Sequence, residues 1–471
     1  MVDTVGETRS GGEKQDGAAS AETPPQELQS LSVPQAIQLA VGLQQKGFVE
    51  AAAEIYRRVL SAIPDQVDAL HFLGVCLRQL GQADEGLQLV QRAVAADPAH
   101  VDARNSLGNF YLERGRLEEA REAYREVVAQ RPEFAAAHAN LGVVFQRLED
   151  KVAAEAAFRR ALAVDPHYAS ALHNLGSLLW DADRMDEALT CFREALTLMP
   201  YDGDSYRRLG ATLSALGRKE EAIPVYQRWM ELEPDHPLAP HMLAACLGTN
   251  VPARASDEFV EYTFDSFAGS FDKVLARLEY RAPTLVGEAV GAVLGAPTGT
   301  LDVLDVGAGT GLCGPLLRGF ARRLVGIDLS KGMLDKARER NCYDALEVAE
   351  LTAYMQSHPR AYDLIVSADT LVYFGDLTEA LAAAAASLRP GGHLIFTVEE
   401  LPNGPGHQAG FWLNPHGRYS HREDYVRGKL EAAGMTPLAV GRAVLRTENK
   451  QPVAGLVVTA ALAASTANRI P

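Results

Sequence analysis

The 471-residue sequence is poor in cysteine, in basic excess and in long apolar runs. Its five cysteines, Cys76, Cys191, Cys246, Cys313 and Cys342, are scattered with no CxxC pair. That excludes a zinc-ligand set and a disulfide framework and fits a reducing compartment, the cytoplasm. Lys and Arg total 45 against 61 Asp and Glu, a net charge of −16, with 24 basic and 36 acidic groups in residues 1–250 and 21 and 25 in 251–471. A field of that sign repels phosphate backbones, so nucleic acid is not an expected partner. The least polar run, Pro452 to Ser465, falls short of the ~20 residues a spanning helix needs, so no membrane insertion is expected. The N-terminal stretch MVDTVGETRSGGEKQDG lacks the apolar segment of a secretory signal. The histidines are dispersed, and no compact His/Asp cluster predicts a metal.

Against these absences stands a repeat. Residues 1–32, rich in Gly, Ser, Glu, Gln and Thr, hold too few apolar groups to offset ordering entropy and read as a disordered tail. From Val33, Pro64, Pro98, Pro132, Pro166, Pro200 and Pro234 recur every 34 residues. The pairs Leu73-Gly74, Leu107-Gly108, Leu141-Gly142, Leu175-Gly176 and Leu209-Gly210 keep that step, as do the small residues Ala52, Gly86, Ala120, Ala154, Ala188 and Ala222 and, broken only by Val90, the aromatics Tyr56, Tyr124, Phe158, Phe192 and Tyr226. Small residues let two helices approach, and proline stops the second helix and opens the next unit. The pattern resembles the tetratricopeptide repeat: six units over 33–236, with 237–250 as a solvating capping helix and linker. The resemblance implies an all-α superhelix whose groove binds a protein or peptide, with Asn105, Asn109, Asn140 and Asn174 as candidate backbone contacts.

Beyond Asn250 the rhythm changes. The short apolar runs 301–306, 323–328, 363–367 and 393–398, separated by Ala-, Leu- and Lys/Arg-rich helical stretches, predict a doubly wound α/β sheet, with Pro390-Gly391-Gly392 as a turn before the last run. Asp305-Val306-Gly307-Ala308-Gly309-Thr310-Gly311 places an acid and three glycines at a strand end, where backbone can pass close to a ligand. Asp328 closes the next strand, placed to bind ribose hydroxyls. Gly309 to Gly314 also satisfies GxGxxG, the fingerprint of a nicotinamide enzyme. Against that reading, an acid at Asp305 gains nothing beside a pyrophosphate but is favourable beside a cation.

The loop resembles motif I of class I S-adenosylmethionine-dependent methyltransferases, and the resemblance extends over 251–465. It implies a Rossmann-like fold with S-adenosyl-L-methionine as cofactor. It assigns cofactor contacts to Asp305, Gly307, Ala308, Gly309, Thr310, Gly311, Asp328, Leu329, Met333, Leu351 and Ala368, and to Glu350 where many members carry Asp. The flank 262–272 resembles an aromatic lid, with Tyr262, Phe271 and Arg281 as lid or substrate candidates. The whole chain resembles bacterial tetratricopeptide-repeat-containing methyltransferases.

Residues 402–421, dense in Gly, Pro, His and aromatics, follow the last of these strands, where the family often builds its acceptor pocket. His407, His416 and His421 are candidate bases, Trp412 and Tyr419 candidate walls, and Arg418 a candidate holder of an anionic substrate. Asp369 and Tyr373 are further catalytic candidates at the cofactor edge. The expected function is methyl transfer to a protein or carrier-bound acceptor recruited by the repeats. The alternatives are a scaffold that binds cofactor without turnover and a small-molecule methyltransferase whose repeats serve assembly.

Overall fold

The computed structural model describes residues 31–265, 268–269, 271–402, 409–448 and 450–464. Residues 1–30 of the expected tail and the candidate base His407 lie outside the described residues. Two compact units divide the chain, Met1–Val164 and Asp165–Pro471.

In the first unit four helix pairs follow one another: α1 (Val33–Gln45) and α2 (Val49–Ala62), α3 (Val67–Gln79) and α4 (Ala83–Ala96), α5 (Val101–Glu113) and α6 (Leu117–Gln130), α7 (Ala135–Arg147) and α8 (Lys151–Val164). Each pair packs on itself, and each of the first three packs on the next. The Leu-Gly register explains itself in space. A Cβ at Gly108 would stand 2.6 Å from the Tyr124 ring, and one at Gly142 2.6 Å from Phe158, so in these two pairs the glycine of the first helix seats the aromatic of the second. Both rings are fully buried.

The second unit opens with two more pairs, α9 (Ala169–Asp181) with α10 (Met185–Leu198) and α11 (Gly203–Ala215) with α12 (Lys219–Leu232), followed by α13 (Leu238–Leu247). The expectation of a solvating cap is corrected here. His241 of α13 is buried, its Nε2 lies 2.9 Å from the Gly417 carbonyl oxygen, and its ring centroid stands 4.2 Å from that of Phe259. Ala245 joins Leu413 and Tyr419 in one apolar cluster. The helix is an interior joint between repeat and sheet because its polar tip finds a carbonyl partner there.

Helices α14 (Asp257–Asp265), α15 (Phe271–Arg277) and α16 (Ala282–Leu294) lead into the sheet. Then come β1 (Leu301–Val306), α17 (Gly314–Leu317), β2 (Ala321–Asp328), α18 (Lys331–Glu339), β3 (Ala345–Val348), α19 (Leu351–Ser357), β4 (Tyr362–Ser367), α20 (Thr378–Ser387) and β5 (Leu388–Glu400). The chain ends in β6 (Phe411–Leu413), β7 (Tyr419–His421), α21 (Glu423–Ala432), β8 (Met435–Glu448) and β9 (Gln451–Leu462). The order β3-β2-β1-β4-β5 is parallel throughout, β7 continues it beside the end of β5, and the long β8–β9 hairpin adds antiparallel to β5. Alternate residues serve opposite faces. Leu304, Val325, Ile365 and Phe396 enter one core, and Val303, Leu324, Leu364 and Ile395 the other, so the sheet is covered on both sides as a doubly wound fold requires. Pro390-Gly391-Gly392 is not a turn before β5 but part of it. The register to β4 jumps from Tyr362↔Leu388 to Leu364↔His393, and Gly391 takes the positive φ that such a bulge needs.

The glycine loop is supported from beneath. The Tyr343 ring fills the space that Gly311, Gly314 and Gly326 leave open, where a Cβ would come within 2.7 to 3.0 Å of it. Its hydroxyl donates to Asp305 Oδ2 at 2.6 Å. Asp305 is 1% exposed, its Oδ1 has no partner, and burial pushes its carboxyl up to about 7.

Two outcomes follow from this packing. Gly142→Ala should overpack the hairpin and cost about 1–3 kcal/mol in a denaturant melt. A carboxyl whose folded pKa is raised stabilises the fold below its ordinary value near 4, and that stabilisation is lost as pH rises toward about 7. Asp305→Asn should therefore melt above the parent protein at pH 8, with the gap closing toward pH 4, as read by calorimetry.

Candidate functional site

Strand order reverses between β1 and β4, and a cavity of about 260 Å³ opens at the carboxyl ends of the parallel strands, at the switch point where such sheets bind ligands. Its floor is the glycine loop. Gly307 has φ +69°, and a Cβ there would collide with the Thr370 side chain, so only glycine fits. The Ala308 amide donates to the Ile327 carbonyl at 2.9 Å and the Gly309 amide to Asp328 Oδ2 at 2.9 Å, which fastens the loop to β2. Asp328 Oδ1 accepts from the Ser330 amide at 2.9 Å. Burial pushes the Asp328 carboxyl up, and these backbone donors oppose the rise.

One wall comes from the end of β3. Glu350 caps α19 by accepting from the Ala353 amide at 2.7 Å, while its other oxygen, Oε1, is buried without a partner in a residue that lines the cavity. Leu329, Met333, Ala349, Leu351 and Ala368 complete an apolar girdle. The roof is formed from α14 and α15, through Val260, Phe264, Phe271, Val274 and Leu275. Two aspartates moor it. Asp265 accepts from Ser330 Oγ and from the Gly332 amide, and Asp272 accepts from Thr310 Oγ1 at 2.5 Å and pairs with Arg340.

The far end is charged. Arg446, on β8 and 3% exposed, pairs with Asp369 Oδ2 at 2.5 Å, with Glu448 Oε1 at 2.6 Å and with Glu399. Arg418 places Nε 2.7 Å from Glu399 Oε1 and Nη2 2.6 and 2.7 Å from the two Glu448 oxygens. Asp369 has φ +59°, its amide donates to Thr397 Oγ1 at 2.8 Å, and its Oδ1 is buried without a partner. Burial raises the Tyr373 phenol to about 12.

Of the residues expected from sequence, Gly307, Ala308, Gly309, Thr310, Asp328, Leu329, Met333, Glu350, Leu351, Ala368, Asp369, Tyr373, Phe271 and Arg418 line one cavity. Others do not. Asp305 and Gly311 lie behind the loop against Tyr343, so the expected contact of Asp305 with a bound cation gives way to a supporting place. Tyr262 is exposed and meets the His236 ring edge-on, with centroids 4.8 Å apart. Arg281 precedes α16, with its amide on the Leu445 carbonyl. Trp412 packs near Gly248, and Tyr419 is fully buried with its hydroxyl 2.7 Å from the Pro252 carbonyl. His421 is fully buried with Nε2 3.1 Å from the Gly375 carbonyl, and burial lowers its pKa to about 4; neither it nor His416, which sits behind Glu399, lines the cavity. Arg418, expected to hold an anionic substrate, is already spanned by two carboxylates. Asn105, Asn109 and Asn140 belong to the first unit, where Asn109 Oδ1 accepts from Tyr124 Oη and Asn140 Nδ2; Asn174 is on α9 of the second. Sequence reasoning missed Tyr280, Arg446 and Glu448 in the lining, with Glu399 behind them. The available signal was a set of charges inside otherwise apolar strands, as in Phe396-Thr-Val-Glu399 and Val444-Leu-Arg446.

Residues 303–392 match the methyltransferase domain family, and 108–149, 135–168 and 167–232 match tetratricopeptide-repeat families. Residues 45–127 match a family named for subunit 3 of the anaphase-promoting complex, cyclosome. Among curated proteins, malonyl-(acyl-carrier protein) O-methyltransferase of Acetivibrio thermocellus is 36% identical over 21% of this chain and 35% of its own length. Ubiquinone biosynthesis O-methyltransferase of Thiobacillus denitrificans is 31% identical over 22% of this chain and 46% of its own. Human methyltransferase-like protein 27 is 38% identical over 19% of this chain and 36% of its own. The chain thus spans less than half the length of these three relatives. Among solved structures, a 1,6-didemethyltoxoflavin-N1-methyltransferase of Burkholderia thailandensis aligns over 46% of this chain and 93% of its own at 23% identity and a TM-score of 0.36. The chain is a tetratricopeptide-repeat protein that carries a class I methyltransferase domain.

Proposed function

We propose that the second unit transfers a methyl group from S-adenosyl-L-methionine and that the repeats recruit a protein or carrier-bound acceptor. The observation that carries the first part is Glu350 Oε1, a buried acceptor without a partner in the wall of the cavity. A buried acceptor left open costs free energy unless a ligand donor meets it, and an adenine amine is such a donor. Asp328 beside the glycine loop suits ribose hydroxyls, and the apolar girdle of Leu329, Met333 and Leu351 suits a purine face. When bound, the cofactor supplies an electrophilic methyl group on a sulfonium. This chain's own residues orient it, exclude water through the α14–α15 roof and hold the acceptor at the opposite end, so alignment supplies much of the rate. Class I relatives among the curated methyltransferases support the choice of cofactor over a nicotinamide.

The recruiting role rests on the repeats, and one relative is named for an acceptor on a carrier protein. With 36 acidic against 24 basic groups in residues 1–250, the repeats favour a basic or neutral partner.

Calorimetry on the full chain should show S-adenosylmethionine binding that Asp328→Ala and Glu350→Ala each weaken by about tenfold or more, the equivalent of ~1.4 kcal/mol. Binding of NAD in its place would overturn the cofactor assignment. With labelled cofactor and host lysate, label should enter the macromolecular fraction; label confined to small molecules would remove the recruiting half.

A further inference from the structure

The charged far end of the cavity contains more carboxylate than guanidinium. Asp369, Glu399 and Glu448 face Arg418 and Arg446, a formal balance of one excess negative charge. Both guanidinium groups are already spent on these acids, Arg446 through all three nitrogens and Arg418 through Nε and Nη2. His416 stands on the far side of Glu399, 3.8 Å from its Oε2, and does not line the cavity. Beside Arg418 Nη1, which none of these acids occupies, what remains open toward a ligand is a buried acceptor. Asp369 Oδ1 is buried and unpartnered, and its residue lines the cavity. Its direction is fixed from three sides, by Arg446 on Oδ2, by Thr397 on the amide and by a left-handed backbone that a non-glycine residue adopts at a cost.

We propose that this end of the cavity recognises an acceptor presenting a hydroxyl or amine hydrogen to Asp369 Oδ1, and that it rejects a free carboxylate. The proposal rests on the methyltransferase reading and adds the substrate class. A carboxylate placed there would meet an unpaired carboxylate oxygen at close range, an unfavourable like-charge contact. A hydroxyl or amine instead satisfies the orphaned oxygen. The surrounding wall of Phe264, Phe271, Tyr373 and Phe374 suits an aromatic or otherwise apolar body on the acceptor.

Benzyl alcohol, benzylamine and benzoate share one apolar body and differ in the group they present. Titrated calorimetrically into the full chain, with and without saturating S-adenosylhomocysteine, the alcohol and amine should bind, and benzoate about tenfold more weakly or worse. In Asp369→Asn the gap should narrow to within about threefold. Retained affinity for S-adenosylhomocysteine shows that the variant is folded; if the variant does not fold, the order of the three probes on the parent chain decides alone. Benzoate binding as tightly as benzylamine, no binding by any probe, or an unchanged gap in the folded variant would overturn the proposal. Failure of S-adenosylhomocysteine to bind the parent chain would instead remove the cofactor assignment, since the probe order is read without it as well.

Discussion

A Cβ at Gly142 would come within 2.6 Å of the Phe158 ring, and one at Gly314 within 2.7 Å of Tyr343. The same constraint, an aromatic ring laid on backbone that bears no side chain, serves both halves of the molecule. In four of the helical pairs, at Gly108, Gly142, Gly176 and Gly210, it sets how closely the partners approach. In the sheet domain one ring lies against three glycines at once and ends on Asp305, so the ligand loop keeps its shape from below while its upper surface stays free. Interiors packed this closely tolerate little change in volume, which ties the placing of the loop to residues that no ligand touches.

The repeats were legible because their signal is local: each landmark sits within one unit, and its physical reason lies in its neighbour 34 residues away. The strand-end acids and glycines were legible for the same reason, since a strand, a loop and a helix start are consecutive in the chain. The far end of the cavity was not. Arg446 meets Asp369 across 77 residues and Glu399 across 47, and nothing in the local sequence announces those pairings. His421 misled in the opposite sense. Its setting read as an open loop, yet the β6–β7 hairpin tucks it into the interior on a carbonyl. Asp305 shows a subtler failure. The motif identifies the loop correctly, but the role of its acid depends on Tyr343, 38 residues on, whose hydroxyl turns it inward.

The cavity places two acceptors without partners at separate places, Glu350 Oε1 on the wall at the end of β3 and Asp369 Oδ1 in the charged cluster at the other end. Between them the lining is largely apolar, interrupted by Thr310, Asp328, Thr370, Tyr280 and Tyr373. Such a site distinguishes ligands chiefly by where their donor hydrogens fall, since a missing hydrogen leaves a buried oxygen unsatisfied while a missing methylene forfeits only some contact.

The junction at α13 bears on how this protein can be taken apart. Repeat-like helices α9 to α12, α13 and the sheet belong to one compact unit that begins at Asp165. Its seam includes His241 on the Gly417 carbonyl, Trp229 against His236, and His236 against Tyr262 of the roof helix. A fragment trimmed to the sheet at Asn250, where the sequence changes rhythm, would strip the partners from Gly417 and Phe259 and leave the roof helix bare on its outer side. The piece that packs on the sheet is therefore longer than its family match and includes the end of α12 and α13.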